Sequence, residues 1–440
     1  MASKGLMIAG LASGSGKTMI TLGLLRALAR RGKAPAAGKT GPDYIDSGFL
    51  SAAAGRKAVN LDQIAMSKPL LARLAADQAG DTLIIEGVMG LFDGASGNAG
   101  SSAALAEALD IPVILVMDIR HTAQTAAMIA AGIAGLLPAG RIAGVILNHV
   151  ASPRHLELVS EALAAHQISL FGSVPSRDGL ALPSRHLGLV QAADFDNAGL
   201  EVILDHAADL IDEYCDLDAI LDSAQGLPAA GKAVAALPLP LTNPQTINPP
   251  AKTIAVANDA AFGFAYHHLL AGWQQQGAEI RPFSPLNDEK PADDADFIFL
   301  PGGYPELYLP TLSTNRQFLA GLNKAATTNI PIYGECGGYM VLGIGITDAS
   351  GNRFDMAGLL DVETSFANKK RHLGYRKFTP VEPFFWDGPF LGHEFHYTNV
   401  VSASGTPLFT AHDANEQPLG MAGLRKGSVA GSYLHIIAQS

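Results

Sequence analysis

Two short stretches of this 440-residue chain are built from residue types that do chemistry. The first is GLASGSGKT, Gly10 to Thr18. An apolar strand runs into it and a helix opens near Lys17, so backbone N–H groups of Gly14, Ser15 and Gly16 and the helix N-terminus can surround phosphate oxygens. Lys17 then suits the terminal phosphates of a nucleoside triphosphate such as ATP, and Thr18 suits a magnesium ion. The pattern departs from GxxxxGK[ST] in one place: Leu11 stands where the first glycine belongs, and Gly10 lies one residue early. The second stretch is GECGG, Gly334 to Gly338, in which glycines relieve crowding around Cys336 at a sharp strand-to-helix turn. A thiol presented this way can attack an acyl carbon, so one polypeptide combines phosphate binding with nucleophilic catalysis.

Both centres need partners. Mg²⁺ takes oxygen ligands and keeps several waters, so one or two carboxylates beside the phosphates suffice. Candidates are Asp43 and Asp46 in GPDYIDSGF, Glu86 at the end of the strand TLIIEG, and Asp93 in MGLFDG. Glu86 is the first choice as metal ligand or water holder; Asp43, Tyr44 and Asp93 read as contacts to an acceptor substrate. A cysteine needs a base and an oxyanion site. The late strand VAGSYLH carries His435 at its end, and the backbone amides of Gly302, Gly303 and Gly337 are the oxyanion donors. Cys215, on a helix in EYCDLDAI, lacks any such setting and reads as structural.

The elements that must hold these residues follow from composition and periodicity. At 48% hydrophobic content the chain is too long for one ordinary core, so two domains are expected. Apolar runs at 5–10, 82–88, 111–118 and 141–148 alternate with stretches of helical period such as Ile20 to Arg31. Continuous apolar runs are buried on both faces, which implies a mostly parallel sheet covered by helices. Residues 224–252 are rich in Pro, Ala and Gly and read as a linker between a first domain at 1–223 and a second at 253–440. The second domain opens another strand series at 253–259, 297–303, 330–335 and 429–435. A formal charge of −11 without a basic block argues against a nucleic-acid partner. Two cysteines, no signal-peptide pattern and no apolar run near 20 residues point to a cytoplasmic protein that does not enter a membrane.

GSGKT, GPDYID, EGVMGLFDG, PGGYPEL, GECGGYMVLG, RHLGYR and GHEFHY occur in this order along the whole chain. In this the sequence resembles the cobyrinic acid a,c-diamide synthases, and most closely the hydrogenobyrinic acid a,c-diamide synthases of the oxygen-dependent cobalamin route. The resemblance implies an α/β fold class: a P-loop, dethiobiotin-synthetase-like parallel-sheet domain, then a class I glutamine amidotransferase α/β domain. It implies ATP and Mg²⁺, with glutamine and a corrinoid polycarboxylic acid as the other substrates. Cys336 would release ammonia from glutamine, and ATP would activate corrin acetate side chains for amidation. By motif matching, Lys17 and Thr18 take phosphate and metal, Asp46 and Glu86 join the metal, and Asn148 meets adenine. Asp43, Tyr44, Ile45 and Asp93 belong to substrate-handling loops. No motif speaks for or against a homodimer.

Two further readings complete the expectations. Arg371, His372, Tyr375 and Arg376, with His393, Glu394 and His396, suit a substrate rich in carboxylates. Many class I amidotransferases carry a Glu two residues after the catalytic histidine; here that position is Ile437, so the triad reads as a Cys336–His435 dyad. Amidation of another tetrapyrrole acid, such as a nickel sirohydrochlorin, and a non-catalytic P-loop ATPase switch are the competing readings.

Overall fold

A computed structural model describes residues 4–78, 80–95, 98–176, 197–228 and 246–440. The chain divides into two compact units, Met1–Leu241 and Thr242–Ser440. In the first, the strands are β1 (Lys4–Gly10), β2 (Pro35–Thr40), β3 (Val59–Leu61), β4 (Thr82–Glu86), β5 (Val113–Asp118), β6 (Ile142–Val150), β7 (Leu170–Pro175) and β8 (Gln225–Gly226). Seven form a parallel sheet in the order β3-β2-β4-β1-β5-β6-β7, and β8 pairs antiparallel with the start of β1. The apolar runs are buried over most of their length as expected, because helices cover the sheet: α1 (Lys17–Arg30), α2 (Tyr44–Ala54), α3 (Lys68–Ala76), α4 (Ser102–Ala108), α5 (Thr125–Leu136), α6 (Pro153–Ala165), α7 (Asn197–Tyr214) and α8 (Leu217–Ser223). Several start at a side-chain cap that satisfies an orphan amide: Asp43 for α2, Ser67 for α3, Ser101 for α4, Ser152 for α6 and Asp216 for α8. α1 starts differently, from Gly16, with no side-chain cap.

Of the expected linker, residues 229–245 lie outside the described residues. Its first part contributes β8, and its last part is held by two indoles: Trp273 Nε1 donates to Ile247 O at 3.1 Å and Trp386 Nε1 to Asn248 O at 2.8 Å.

The second unit adds β9 (Thr253–Ala257), β10 (Glu279–Phe283), β11 (Phe297–Leu300), β12 (Ile332–Glu335), β13 (Gly345–Thr347), β14 (Arg353–Asp355), β15 (Val362–Ser365), β16 (His372–Pro380), β17 (Phe390–His396), β18 (Asn399–Ala403), β19 (Thr406–Asp413), β20 (Pro418–Lys426), β21 (Val429–Ser432) and β22 (Leu434–Gln439). Its helices are α9 (His267–Gln275), α10 (Leu309–Thr314), α11 (Arg316–Thr327) and α12 (Gly337–Leu342). The ten-stranded sheet runs β10-β9-β11-β12-β21-β20-β19-β16-β17-β22, parallel as far as β21 and antiparallel beyond. β14-β13-β15-β18 form a small second sheet.

One sequence expectation is corrected here. The run at 429–435 is not a single strand ending in His435. It breaks at Tyr433: β21 pairs with β12, while β22, carrying His435 as its second residue, pairs with β17 at the far end of the sheet order. The antiparallel strands therefore curl back until β17 and β12 flank the same short segment.

Burial, not surface charge, holds the helical layers. α1 and α7 pack through Leu22, Leu25, Leu204 and Ile211, all essentially inaccessible to solvent. Arg26, Arg30 and Arg31 also meet Glu201, Asp205, Asp209 and Asp212 across this contact, with partly exposed side chains. Leu204→Ala is expected to cost about 2–5 kcal/mol through cavity formation, and Arg30→Ala about 0–1 kcal/mol. Denaturant midpoints of the first unit's transition for the two variants check this order.

Candidate functional site

In the phosphate loop Gly14 and Gly16 have φ of 80° and 92°, a left-handed conformation that favours glycine. A Cβ on Gly16 would also lie 2.2 Å from Asn148 Nδ2. The loop is pinned from within: Ser15 Oγ donates to Ala12 O at 2.6 Å, and Asn148 Nδ2 donates to Ser15 O at 3.0 Å. Asn148 thus touches the loop directly through the amide expected to meet adenine. Lys17 doubles back to donate to Ala12 O at 3.1 Å, and its stem passes so close to Gly10 that a Cβ there would sit 2.9 Å from Lys17 Cγ. The glycine one residue early is what gives the lysine room. Burial pulls the Lys17 pKa below its usual value.

The carboxyl ends of β2 and β4 bring Asp46 and Glu86 to the same place, with an unforeseen residue between them. Lys39, on β2 and 2% exposed, lies 2.5 Å from Asp46 Oδ2 and 3.2 Å from Glu86 Oε1. Thr18 Oγ1 donates to Glu86 Oε1 at 2.6 Å. Burial works against the Lys39 ammonium, but Glu86 and Asp46 more than reverse this and hold its pKa above the ordinary range. Burial pushes Glu86 up to about 7 against the pull of Lys39. Among the described residues, Glu86 Oε2 is buried without a hydrogen-bond partner. That open oxygen, with Asp46 and the Thr18 hydroxyl, is a hard-oxygen donor set that fits Mg²⁺. The signal for Lys39 in the sequence was a lone lysine near the end of an otherwise uncharged strand.

Asp43 accepts from Ile45 N and Asp46 N as the cap of α2, whose first residues are Tyr44 and Ile45. Burial, reinforced by Asp46, pushes its pKa up to about 6. Asp93 accepts from Gly90 N at 2.8 Å and closes a turn.

In the second unit Cys336 sits at φ 47°, ψ −107°, strained backbone between β12 and α12, with its side chain buried. The glycines around it permit the fold-over: a Cβ on Gly338 would fall 2.0 Å from Leu300 O, and one on Gly337 3.1 Å from Gly303 N. Cys336 N donates to Ser432 O at 2.8 Å, tying the turn to β21. His435 arrives two residues beyond the break at Tyr433. A Cβ placed on Gly302 would lie 2.4 Å from His435 Cε1 and 3.2 Å from Cys336 Cβ, so Gly302 borders both. Burial disfavours the imidazolium, but Cys336 and the neighbouring Glu335 carboxylate overcome this and push His435 up to about 10. Glu335 Oε2 lies 3.6 Å from His435 Nδ1.

The basic cluster is drawn together on β16 and β17, but much of it is already paired. Arg376 Nε donates to Glu394 Oε2 at 2.8 Å. His396 lies 3.0 Å from Glu394 Oε1, stacks on Tyr433 at 3.7 Å and on His372 at 4.6 Å. His372, Glu394 and His396 could by distance hold a metal ion, but Arg376 already supplies a positive charge to the carboxylate. His393 packs on Tyr375 and stands opposite His435; burial keeps it neutral, with a pKa pushed down to about 3. Arg371 is exposed.

Comparison with known proteins gives a domain match in each unit. A CobQ/CobB/MinD/ParA nucleotide binding domain matches residues 6–190, and a CobB/CobQ-like glutamine amidotransferase domain matches 253–440. The chain is 49% identical to the hydrogenobyrinate a,c-diamide synthase of Rhizobium meliloti (strain 1021), over 98% of this chain and 99% of that protein. The chain belongs to the hydrogenobyrinate a,c-diamide synthase family. Members so named from Brucella anthropi, at 47% identity over 99% of this chain and 98% of theirs, and Rhodobacter capsulatus, at 45% over 99% of both, match equally along their length. Among the described residues no helix is long and apolar enough to cross a membrane.

The tightness at Gly302 makes a sharp test of the family's second centre in this chain. Gly302→Ala must displace the imidazole, and a misplacement of about 1 Å costs on the order of 10²-fold in rate. Glutamine turnover is expected to fall by that much while the unfolding midpoint stays within a few degrees, measured by a coupled glutamate assay and by calorimetry.

Proposed function

We propose that this chain uses ATP and glutamine to amidate the a and c acetate carboxylates of hydrogenobyrinic (or cobyrinic) acid, as a cytoplasmic carbon–nitrogen ligase. The observation that carries the reading is a strained, buried cysteine beside a buried histidine in the same polypeptide as a phosphate loop with an uncapped helix start. The names and full-length similarity of the relatives support the substrate class.

The glutaminase half works through a thioester. Cys336 Sγ attacks the glutamine carboxamide carbon while His435 takes the thiol proton and passes it to the departing ammonia. Amides of Gly302, Gly303 and Gly337 stabilise the developing oxyanion, and water then releases glutamate. In the other half a carboxylate resists ammonia until one oxygen is made a leaving group. Transfer of the terminal phosphoryl of ATP gives an acyl phosphate, ammonia adds to its carbonyl, and phosphate departs.

Gly14, Ser15, Gly16 and Lys17 bind the phosphates in this reading, and Asn148 meets the adenine. Thr18, Asp46 and Glu86 hold Mg²⁺, which when bound neutralises phosphate charge. Lys39, fixed between two carboxylates, keeps both oriented. Asp43, Tyr44, Ile45 and Asp93 handle the acceptor, and Arg371, His372, Arg376, His393 and His396 are its further contacts. The division of labour falls at 1–223 and 253–440, with 224–252 as the tether.

Product mass with either corrinoid acid should change twice, each time by the difference between a hydroxyl and an amino group. Cys336→Ala is expected to lose amidation driven by glutamine and keep amidation driven by ammonium, whereas Lys17→Ala should lose both. Loss of both activities in Cys336→Ala contradicts the division of labour.

A further inference from the structure

We propose that Glu335 is the positioning residue that orients His435 for glutamine hydrolysis, supplying from the residue before the nucleophile the carboxylate that Ile437 does not provide. The inference rests on the reading of Cys336 and His435 as a glutaminase pair and adds a third member to it.

Four observations converge. Glu335 is 3% exposed and His435 1%, so neither has water as an alternative partner. The imidazole is turned with its Cε1–Nε2 edge toward Gly302, where an added Cβ would lie 2.4 Å from Cε1, 3.3 Å from Nε2 and 3.2 Å from Cys336 Cβ. Nδ1, on the other flank of Cε1 from Nε2, stands 3.6 Å from Glu335 Oε2. The other oxygen, Oε1, accepts from Ile436 N at 3.1 Å, so the carboxylate is anchored on the residue next to His435 and moves with β22. A separation of 3.6 Å is an ion-pair contact that becomes a hydrogen bond on closing by a few tenths of an ångström, the tightening expected when substrate engages a catalytic base.

The remaining surroundings leave the role to Glu335. Ile437 is buried, and its carbonyl faces a His268 ring nitrogen at 2.8 Å. Other titratable groups facing the pair are Cys336, Tyr333 and His393. Burial pushes the Tyr333 hydroxyl well above its usual pKa and keeps His393 uncharged, so neither offers an anion to an imidazolium. With its Nδ1 proton directed at Glu335, His435 keeps Nε2 for the thiol, and the carboxylate stabilises the charge that the ring gains when Cys336 loses its proton.

The test compares the full chain with Glu335→Gln, which keeps an acceptor for Ile436 N but removes the charge. Glutamine kcat should fall on the order of 10²-fold with KM for glutamine within about twofold. The alkaline limb of kcat against pH should move down by about one unit or more, because an imidazolium without its carboxylate loses its proton more readily. A purely structural role would not move that limb. Unchanged kcat and an unchanged limb overturn the proposal. Absence of any Cys336-dependent glutamine hydrolysis in the unsubstituted chain would instead remove the glutaminase reading on which it rests. Should Glu335→Gln fail to fold, ¹⁵N NMR of the unsubstituted protein decides: a proton on His435 Nδ1 in the neutral ring supports the role, and a proton on Nε2 overturns it.

Discussion

A carboxylate withdrawn from water must be met by fixed partners, since the effective cost of burying an ion is several kcal/mol. Both candidate sites of this protein are organised around such a group. Glu86 ends β4 and is answered by Lys39 and Thr18; Glu335 ends β12 and is answered by His435 and the amide of Ile436. In each case the acid terminates a buried parallel strand beside a glycine-rich turn, where side chains at carboxyl ends of strands converge. The partners have little freedom, because moving either one strands a charge. Rigidity in the two sites thus comes from the penalty for breaking these pairs more than from any net gain in forming them.

The strand break at Tyr433 shows how the fold exploits this in the second unit. β21 is parallel to β12 and hydrogen-bonds the amide of Cys336, while β22 belongs to the antiparallel stretch. One residue separates the two, so His435 follows directly after the strand that holds the Cys336 turn. Tyr433 itself stacks on His396 and lies 2.9 Å from the Thr398 hydroxyl, which couples the break to the β17 side. The histidines and arginine of β16 and β17 thereby serve partly as architecture.

How much of this was legible in the sequence depended on distance along the chain. The phosphate loop and the cysteine turn could be read because their logic is local: glycines at close-packed or left-handed positions, a nucleophile or lysine between them. The four inner strands of the first unit's parallel sheet were equally plain, as they are apolar over most of their length, whereas β2, β3 and β7, short or carrying polar residues, were not read. Lys39 and Glu335 were overlooked although each adjoins a recognised motif, because their roles arise only when distant strands meet, β2 with β4 and β12 with β22. The antiparallel half of the second unit was hidden for the same reason. Its strands have mixed burial, as in Leu373, half exposed beside the partly buried His372, and carry no continuous apolar signature. Asp43 and Asp93 stood out by residue type, yet their oxygens largely serve a helix cap and a turn.

Lys39 has one more consequence. The side chains gathered at the phosphate loop are two lysines, Lys17 and Lys39, against four acids, Asp43, Asp46, Glu86 and Asp93. Such a pocket carries no excess of positive charge by its own composition, so it offers a bare polyanion little long-range attraction. A triphosphate gains most by arriving with its counter-ion attached, which makes selection of the loaded pair over the naked nucleotide a matter of charge balance before any contact of shape.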